Sequence, residues 1–449
     1  MAVPRLRPVE ARAGQDVGSG RAFDSARLLR VLEGLPECRR YVVAFSGGMD
    51  STVLLHALVH VRPPVAASLV AVHVHHGLHP QADAWQAFCA GFCARHGVTL
   101  ISRRVDARAR RGEGPEAAAR QARYRALAEV CREGDCLLTA HHRDDQAETL
   151  LLHLLRGSGP HGLAAMAPCR AWHGIWHARP LLDFGREALH DYALAHALSW
   201  VEDPSNQAPD FDRNFLRHEI LPRLQGRWPG AAGGLARTAR LQRAAATLLE
   251  DLARLDRDGG TDRRPDTLGV DTLRRLPRLR QANLIREWVR AQGLPPPPGR
   301  RLDEVLDRVL RARRDAMPLV RWEGAELRRY RDALYVMPPL PEHDPARVYL
   351  WDPARALVIP HLGIELRRRD LEAIGVDPTQ WAPPLRVGFR RGGERCRLPG
   401  HAHQRALKVL FQDAGIPPWE RDRIPLVYAR EGLVAVAGLW ACEAHHRPG

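Results

Sequence analysis

Two stretches of this chain carry residue types that could do chemistry. The first, Ser46-Gly47-Gly48-Met49-Asp50-Ser51, sets two glycines, two hydroxyls and a carboxylate side by side. Adjacent glycines let the backbone approach a ligand and take φ > 0, while small hydroxyls and free N–H groups collect where a helix start is electropositive. Such a turn is built to hold an anion, phosphate first among them. A carboxylate inside it would repel a nucleotide unless a cation stood between them, so Asp50 implies Mg²⁺. The lysine of the GxxxxGK[ST] loop is missing here, and Lys408 is the only lysine in the chain. The second stretch is His141-His142-Arg143-Asp144-Asp145-Gln146-Ala147-Glu148-Thr149. Asp144 and Asp145 have the chemistry of helix caps, yet Asp145 and Glu148 are three apart and so share one helix face beside two histidines. Carboxylates that face a phosphate loop need a metal ion or an amine between.

Both stretches need strands and helices to bring them together. Tyr41 to Phe45 is a β-branched and aromatic run, and Val53, Leu54, Ala57, Leu58 and Val61 recur at helical spacing, so the glycine turn joins a strand to a helix. A short helix near Ala26 to Glu33 precedes it. Ser68 to Val74 reads as a second strand, Asp83 to His96 as a helix, Val98 to Ser102 as a third strand, Pro115 to Arg132 as a helix and Cys136 to Ala140 as a fourth strand. This alternation predicts an α/β fold, a doubly wound parallel sheet with its site at the strands' carboxyl ends, and places His141 to Thr149 there. His73 and His75 project from one face of the second strand, at the mouth of that site. No carboxylate or cysteine adjoins them in sequence, which argues against a metal centre.

Downstream, a loop rich in Trp and His leads to Arg179, Asp203-Pro204-Ser205-Asn206 is a turn by composition, and Arg213 and Arg217 form an i, i+4 basic pair. Helical patterning then runs from about 231 to 292 with a polar break at 256–265, followed by an amphipathic helix at Leu302 to Leu310 and a hairpin at Leu319 to Met337. A Pro-rich linker begins at Pro338. Strands at Leu357 to Arg367 and Leu385 to Arg390, a helix at Ala406 to Ala414 and alternating strands from Leu426 to Trp440 complete a small α+β domain. The expected division is a loose extension at 1–22, a nucleotide-binding domain at 23–225, a mainly helical domain at 226–340 and the α+β domain at 345–449.

A formal charge of +15 makes an acidic polymer, nucleic acid first, the expected partner, although the near-exclusive use of arginine also fits codon composition. The eight cysteines include no CxxC pair and read as reduced, mostly buried thiols of a cytoplasmic protein. No apolar run reaches the length of a membrane span, and the first residues lack the apolar core of a secretory signal.

The turn at Ser46 to Ser51 resembles the SGGxDS signature of the PP-loop ATP pyrophosphatases, with the adenine nucleotide α-hydrolase-like fold. ARQARY at Ala119 to Tyr124, HHRDDQAET at His141 to Thr149, RGSG at Arg156 to Gly159, DPSN at Asp203 to Asn206, and RNFLR with Pro222 extend the likeness. So do RRGGERCRLPG at Arg390 to Gly400 and LKVLFQDAGIPPWERDRIPLV at Leu407 to Val427. In this order they resemble the tRNA(Ile)-lysidine synthetase family over nearly the whole chain. The resemblance implies an enzyme that uses ATP to adenylate O2 of the wobble cytidine of a tRNA(Ile) with a CAU anticodon, and then lets the ε-amine of free L-lysine displace AMP at C2. It implies ATP held by Ser46, Gly47, Gly48, Met49, Asp50, Ser51 and His73, and Mg²⁺ held by Asp50 and Asp145. His141 or His142 would support the leaving group, Glu148 would attract the lysine amine, and Arg120 and Arg213 would hold base, phosphate or adenylate. Arg217, Arg390, Arg391, Lys408, Arg421 and Arg423 would bind tRNA, and a homodimer is a further expectation. A PP-loop tRNA thiolase is the nearest alternative, but such an enzyme usually needs a close cysteine pair. Other ATP-pyrophosphatase ligases, such as GMP or NAD synthetases, leave the basic tail unexplained. A non-catalytic RNA-binding protein would leave the intact carboxylates unexplained.

Overall fold

The computed structural model describes residues 22–61, 68–77, 79–106, 108, 114–204, 212–258, 266–430 and 432–443. The extension at 1–21, the pair Ser205 and Asn206, and positions 259–265 of the expected polar break lie outside the described residues. The chain divides into two units, Met1–Leu248 and Leu249–Gly449. The first contains α1 (Ser25–Glu33), β1 (Arg40–Ala44), α2 (Met49–Val61), β2 (Ser68–His75), α3 (Ala82–Arg95), β3 (Thr99–Arg104), α4 (Pro115–Val130), β4 (Asp135–Leu138), α5 (Arg143–Leu155), α6 (Pro160–Leu163), β5 (Cys169–Trp172), β6 (Ile175–Ala178), α7 (Arg186–Ala195), α8 (Asp212–Phe215) and α9 (Leu221–Arg227). A π turn at Leu216–Ile220 joins α8 to α9, and α10 (Ala231–Asp258) carries the chain into the second unit.

β1 reads as a continuous apolar run because both of its faces are covered. Tyr41 and Val43 point into a core shared with Leu28 of α1, Leu54 of α2, Phe92 of α3 and Tyr192 of α7. Val42 points the other way, onto Leu127 and Val130 of α4. The strand order is β3-β2-β1-β4-β6-β5, with Tyr41 beside Cys136 and Val43 beside Leu138 across the β1–β4 pair. All neighbours are parallel except β5, which runs antiparallel on β6 at the edge. The Trp- and His-rich stretch expected as a loop therefore supplies two short strands. Topologically, β1 leads to β2 and β3 on one side, and the chain then returns to β4 on the other, so a crevice opens outside the carboxyl ends of β1 and β4.

The second unit continues with β7 (Thr267–Gly269), α11 (Val270–Arg274), α12 (Arg278–Ala291), α13 (Gly299–Glu304), β8 (Leu319–Trp322), β9 (Ala325–Tyr330) and β10 (Ala333–Met337). The expected hairpin is thus part of a four-stranded antiparallel sheet, ordered β7-β10-β9-β8, on which Ile285, Trp288 and Val289 of α12 pack. The middle segment is mainly helical, as expected, and its helices pack on a small sheet of which the sequence showed only the hairpin. The tail forms a five-stranded antiparallel sheet from Tyr349–Trp351, Leu385–Gly388, Leu426–Ala429, Gly432–Val436 and Trp440–Ala441. The strand expected over Leu357 to Arg367 is two short ones, broken at Gly363 with φ 64°.

Two further expectations change here. Cys396 and Cys442 are joined as a disulfide, so not all eight cysteines are thiols. The stretch expected to link two domains is fastened to the tail: Arg391 donates to the Pro345 and Ala346 carbonyls and Arg423 to the Pro341 carbonyl at 2.6 Å, while Arg421 reaches past it to the Tyr330 hydroxyl of β9 at 2.9 Å. Among the described residues, no helix is long and apolar enough to cross a membrane.

Candidate active site

The glycine turn is shaped by contacts on every side. Phe45 N donates to the Val72 carbonyl at 2.8 Å, after which Gly47 turns the chain at φ 84°. An L side chain resists that conformation, and a Cβ there would also meet Cys89 Sγ at 3.0 Å and Val201 Cγ2 at 3.1 Å. The Gly47 carbonyl accepts from Val201 N at 2.9 Å and Thr52 Oγ1 at 3.2 Å. Ser51 Oγ donates to the Gly48 carbonyl at 2.9 Å and lies 3.1 Å from Ser46 Oγ, which accepts from Gly48 N at 3.3 Å. Hydroxyls and N–H groups are thereby gathered at the N-terminus of α2, where the helix dipole favours an anion. The Met49 side chain is in the core, leaving only its backbone to face a ligand. His73 is buried behind the turn, with Nδ1 3.0 Å from the Phe45 carbonyl and 3.4 Å from Cys89 Sγ. It supports the turn instead of lining it. Its neighbour His75 has Asp83 at 3.2 Å, so the fold supplies the acidic and thiol neighbours that the sequence did not show.

α5 starts where β4 ends, and its first turn carries the carboxylates. His142 is buried with Nε2 3.4 Å from Asp145 Oδ2 and 3.7 Å from Asp50 Oδ2, and Nδ1 3.6 Å from Asp144 Oδ2. An imidazole therefore stands between the two residues expected to share a metal. Burial disfavours its charge, but Asp145, Asp144 and Asp50 outweigh that and push His142 up to about 9. The cap of α5 is reciprocal, with His142 N donating to Asp145 Oδ2 at 3.0 Å and Asp145 N 3.4 Å from His142 Nδ1. Asp144 has a different use: Oδ2 accepts from Arg186 N at 2.9 Å and caps α7.

Asp145 and Glu148 on α5 face Arg213 and Arg217 with nearly the same helical spacing, and all four interlock. Asp145 Oδ1 accepts from Arg213 at 3.0 Å and Arg217 at 2.8 Å; Glu148, wholly buried, accepts from Arg213 Nε at 2.7 Å and from Arg217 Nε and Nη2 at 2.6 and 3.0 Å. Both Glu148 oxygens are thus engaged by guanidinium groups, so an amine approaching it would meet two arginines already in place, and Arg217 spends its Nε and Nη2 donors within the cluster. Burial would raise the Asp145 carboxyl, but His142, Arg213 and Arg217 hold it far below the usual range. Asp50 goes the other way: burial, helped by the Asp145 charge, raises it, and its Oδ1 is buried with no hydrogen-bond partner. A buried acceptor oxygen lacking a donor is what a hard divalent cation completes, so Asp50 fits Mg²⁺. Asp145, with three cationic groups already on its oxygens, fits it less well.

His141 is half-buried, with Nδ1 2.9 Å from Thr139 Oγ1. Burial pushes it down to about 3 against the pull of Asp145, and Arg179, Arg213 and Arg123 add to the shift. Arg120 is exposed on α4, its guanidinium 5.1 Å from the Tyr124 ring centre, and its charge acts on His177 and Arg179. Of the six catalytic candidates, Asp50, Asp145, His141, Glu148 and Arg213 gather at the crevice, and Arg120 stands to one side. The RNA-binding candidates are mostly occupied: Arg390 pairs with Asp422 at 2.9 Å, Arg391 and Arg423 fasten the 338–346 stretch, and Arg421 is buried. Lys408 is exposed on the helix Leu407–Asp413. Thr139, His177 and Arg179 were not singled out from the sequence. The available signal was the i, i+2 series Ile175, His177, Arg179, a strand face hidden in an apparent loop.

Three family descriptions match along the chain: a PP-loop domain over residues 23–224, a TilS substrate binding domain over 268–335 and a TilS substrate C-terminal domain over 385–449. A tRNA(Ile)-lysidine synthase of Alkalilimnicola ehrlichii is 47% identical over 94% of this chain and 95% of its own length. Another of that name from Methylococcus capsulatus is 43% identical over 90% of this chain and 92% of its own. Among solved structures, the U34-tRNA thiolase NcsA from Methanococcus maripaludis with its [4Fe-4S] cluster is 18% identical, covering 49% of this chain and 78% of that one with a TM-score of 0.42.

Proposed function

The chain belongs to the tRNA(Ile)-lysidine synthase family of ligases, and from that premise we propose that it joins free L-lysine to C2 of the wobble cytidine in a tRNA(Ile) bearing a CAU anticodon. O2 of the cytosine attacks the α-phosphate of ATP and pyrophosphate leaves. The lysine ε-amine then adds at C2, AMP departs with O2, and the amine gives up a proton. A carbonyl oxygen is a poor leaving group, whereas an adenylate is a good one. Ser46, Gly48, Ser51 and the Met49 backbone cradle phosphate oxygens at the start of α2. Magnesium, held by Asp50, would supply the positive charge that lets a carboxylate and a polyphosphate share one loop. Arg213 and Arg217, clamped by Glu148 and Asp145, present fixed guanidinium groups to the adenylate or the base. The segments 226–340 and 345–449 grip the tRNA by shape and backbone.

One observation carries this reading: the phosphate turn and the carboxylate–arginine cluster leave adjacent strands, with His142 within 3.7 Å of both Asp50 and Asp145. The test is radiolabelled lysine with ATP and unmodified tRNA. Transfer of label to RNA with release of AMP and pyrophosphate is expected; ADP as the spent nucleotide would overturn the proposal.

A further inference from the structure

Beneath α4, a line of polar side chains runs from the sheet interior to His141. Arg179 Nη2 lies 3.5 Å from His177 Nδ1, His177 Nε2 lies 3.0 Å from Thr139 Oγ1, and Thr139 Oγ1 lies 2.9 Å from His141 Nδ1. Arg179 and Thr139 are each 5% exposed and His177 is 0% exposed, so water does not complete these contacts. The His177 ring is held against Tyr124 and Trp172, with centres 5.7 and 5.8 Å away.

A guanidinium has donors and no acceptor, and this gives the line a direction. His177 Nδ1 must turn a lone pair to Arg179, because an N–H there would face another N–H beside a positive charge. Its one proton is then on Nε2 and is donated to Thr139 Oγ1. The threonine hydroxyl, having accepted, donates its own hydrogen to His141 Nδ1, which leaves the His141 proton on Nε2. We propose that Arg179, His177 and Thr139 are positioning residues that lock His141 as a neutral imidazole protonated on Nε2, a fixed donor to an oxygen gaining negative charge as the adenylate forms or departs. The identity of that oxygen rests on the lysidine synthase reading; the lock does not. Burial and the Arg179 charge push His177 down to about 2, and burial with the same charge, among others, takes His141 to about 3, so neither ring competes for a second proton at neutral pH.

A buried polar line could equally be structural filling, and the test must separate the two. In the full-length enzyme, Thr139→Val removes the hydroxyl at nearly constant volume. It is expected to lower kcat by about tenfold to a hundredfold, with KM for ATP within about twofold, and Thr139→Ser is expected to restore most of the loss. His141→Gln places an amide N–H close to the Nε2 position and has no tautomer to lock. In that background, Thr139→Val is expected to cost less than about twofold; if the two losses multiply instead, the proposal falls. Ring ¹⁵N spectra, with the His141 signal identified by its loss in His141→Gln, are expected to show Nε2 protonation in the wild type and a mixture in Thr139→Val. A wild-type His141 protonated on Nδ1 would overturn the lock, whether or not Thr139→Val folds well. An enzyme that keeps the Nε2 signature yet transfers no lysine would sink the functional reading and leave the lock standing.

Discussion

Asp50 and Asp145 flank one imidazole, and their surroundings drive them apart: Asp50 has one oxygen buried without a donor, whereas Asp145 is surrounded by donors. The consequence is a division of labour that substitution can expose. Asp50→Asn removes the charge a cation needs while keeping shape, so the Mg²⁺ dependence of ATP affinity is expected to collapse with little change in thermal midpoint. Titrating ATP with and without Mg²⁺ checks this, and a retained Mg²⁺ effect would acquit Asp50. Glu148→Ala removes a fully buried carboxylate and leaves two half-buried guanidinium groups with Asp145 alone; breaking a fully buried pair costs about 3–5 kcal/mol, so a loss below that figure is expected, with a lower melting temperature as well as a lower rate. Gly47→Ala must take φ 84° and push on Cys89 and Val201. A loss of about 1–3 kcal/mol by denaturant unfolding is expected, with weaker nucleotide binding.

The elements show how far sequence reasoning reaches. The α/β half was legible because β1, β2 and β4 are buried on both faces and announce themselves as apolar runs, and because the glycine turn marks where a strand becomes a helix. β5 and β6 were not, since Cys169–Trp172 and Ile175–Ala178 are short strands, and His177 of β6 finds Tyr124 and Trp172 to pack on in the folded state alone. The Arg213 and Arg217 spacing was visible; their partners, more than sixty positions away, were not. Packing among α2, α3 and α7 adds a pH dependence of its own. His56 lies 3.0 Å from the Tyr192 hydroxyl, with the rings of His60, His96 and His196 around it, and burial followed by those neighbours pushes it down to about 4. An unfolded histidine takes up its proton near pH 6.5. The stability from keeping His56 neutral is therefore complete above about 6.5 and is lost as pH falls towards 4. The melting temperature is expected to drop between pH 7 and 5, and His56→Phe to flatten that slope; an unchanged slope would place the acid sensitivity elsewhere.

At the scale of the whole molecule, a charge of +15 overstates the surface offered to RNA, because many arginines are spent internally. Arg421 reaches the Tyr330 hydroxyl and the Ile416 carbonyl, and Arg329 donates to the Val309, Leu310 and Ala312 carbonyls from a site 1% exposed. Those cations hold the second unit together and are hidden from a polyanion. Lys408 is exposed, and its charge is free to displace counterions from a phosphate. The two kinds of cation should therefore separate in salt titrations of tRNA binding. Each phosphate contact contributes roughly 0.7–0.9 to the slope of log affinity against log salt. Lys408→Gln is expected to weaken binding at low salt and reduce that slope by about one contact's worth, leaving the melting temperature unchanged. Arg421→Met is expected to do the reverse, lowering the melting temperature while the protein still folded binds with the wild-type slope. If Arg421→Met flattens the slope and Lys408→Gln does not, the RNA path crosses the stretch around Tyr330 and Pro341, and the buried arginine must open to meet it.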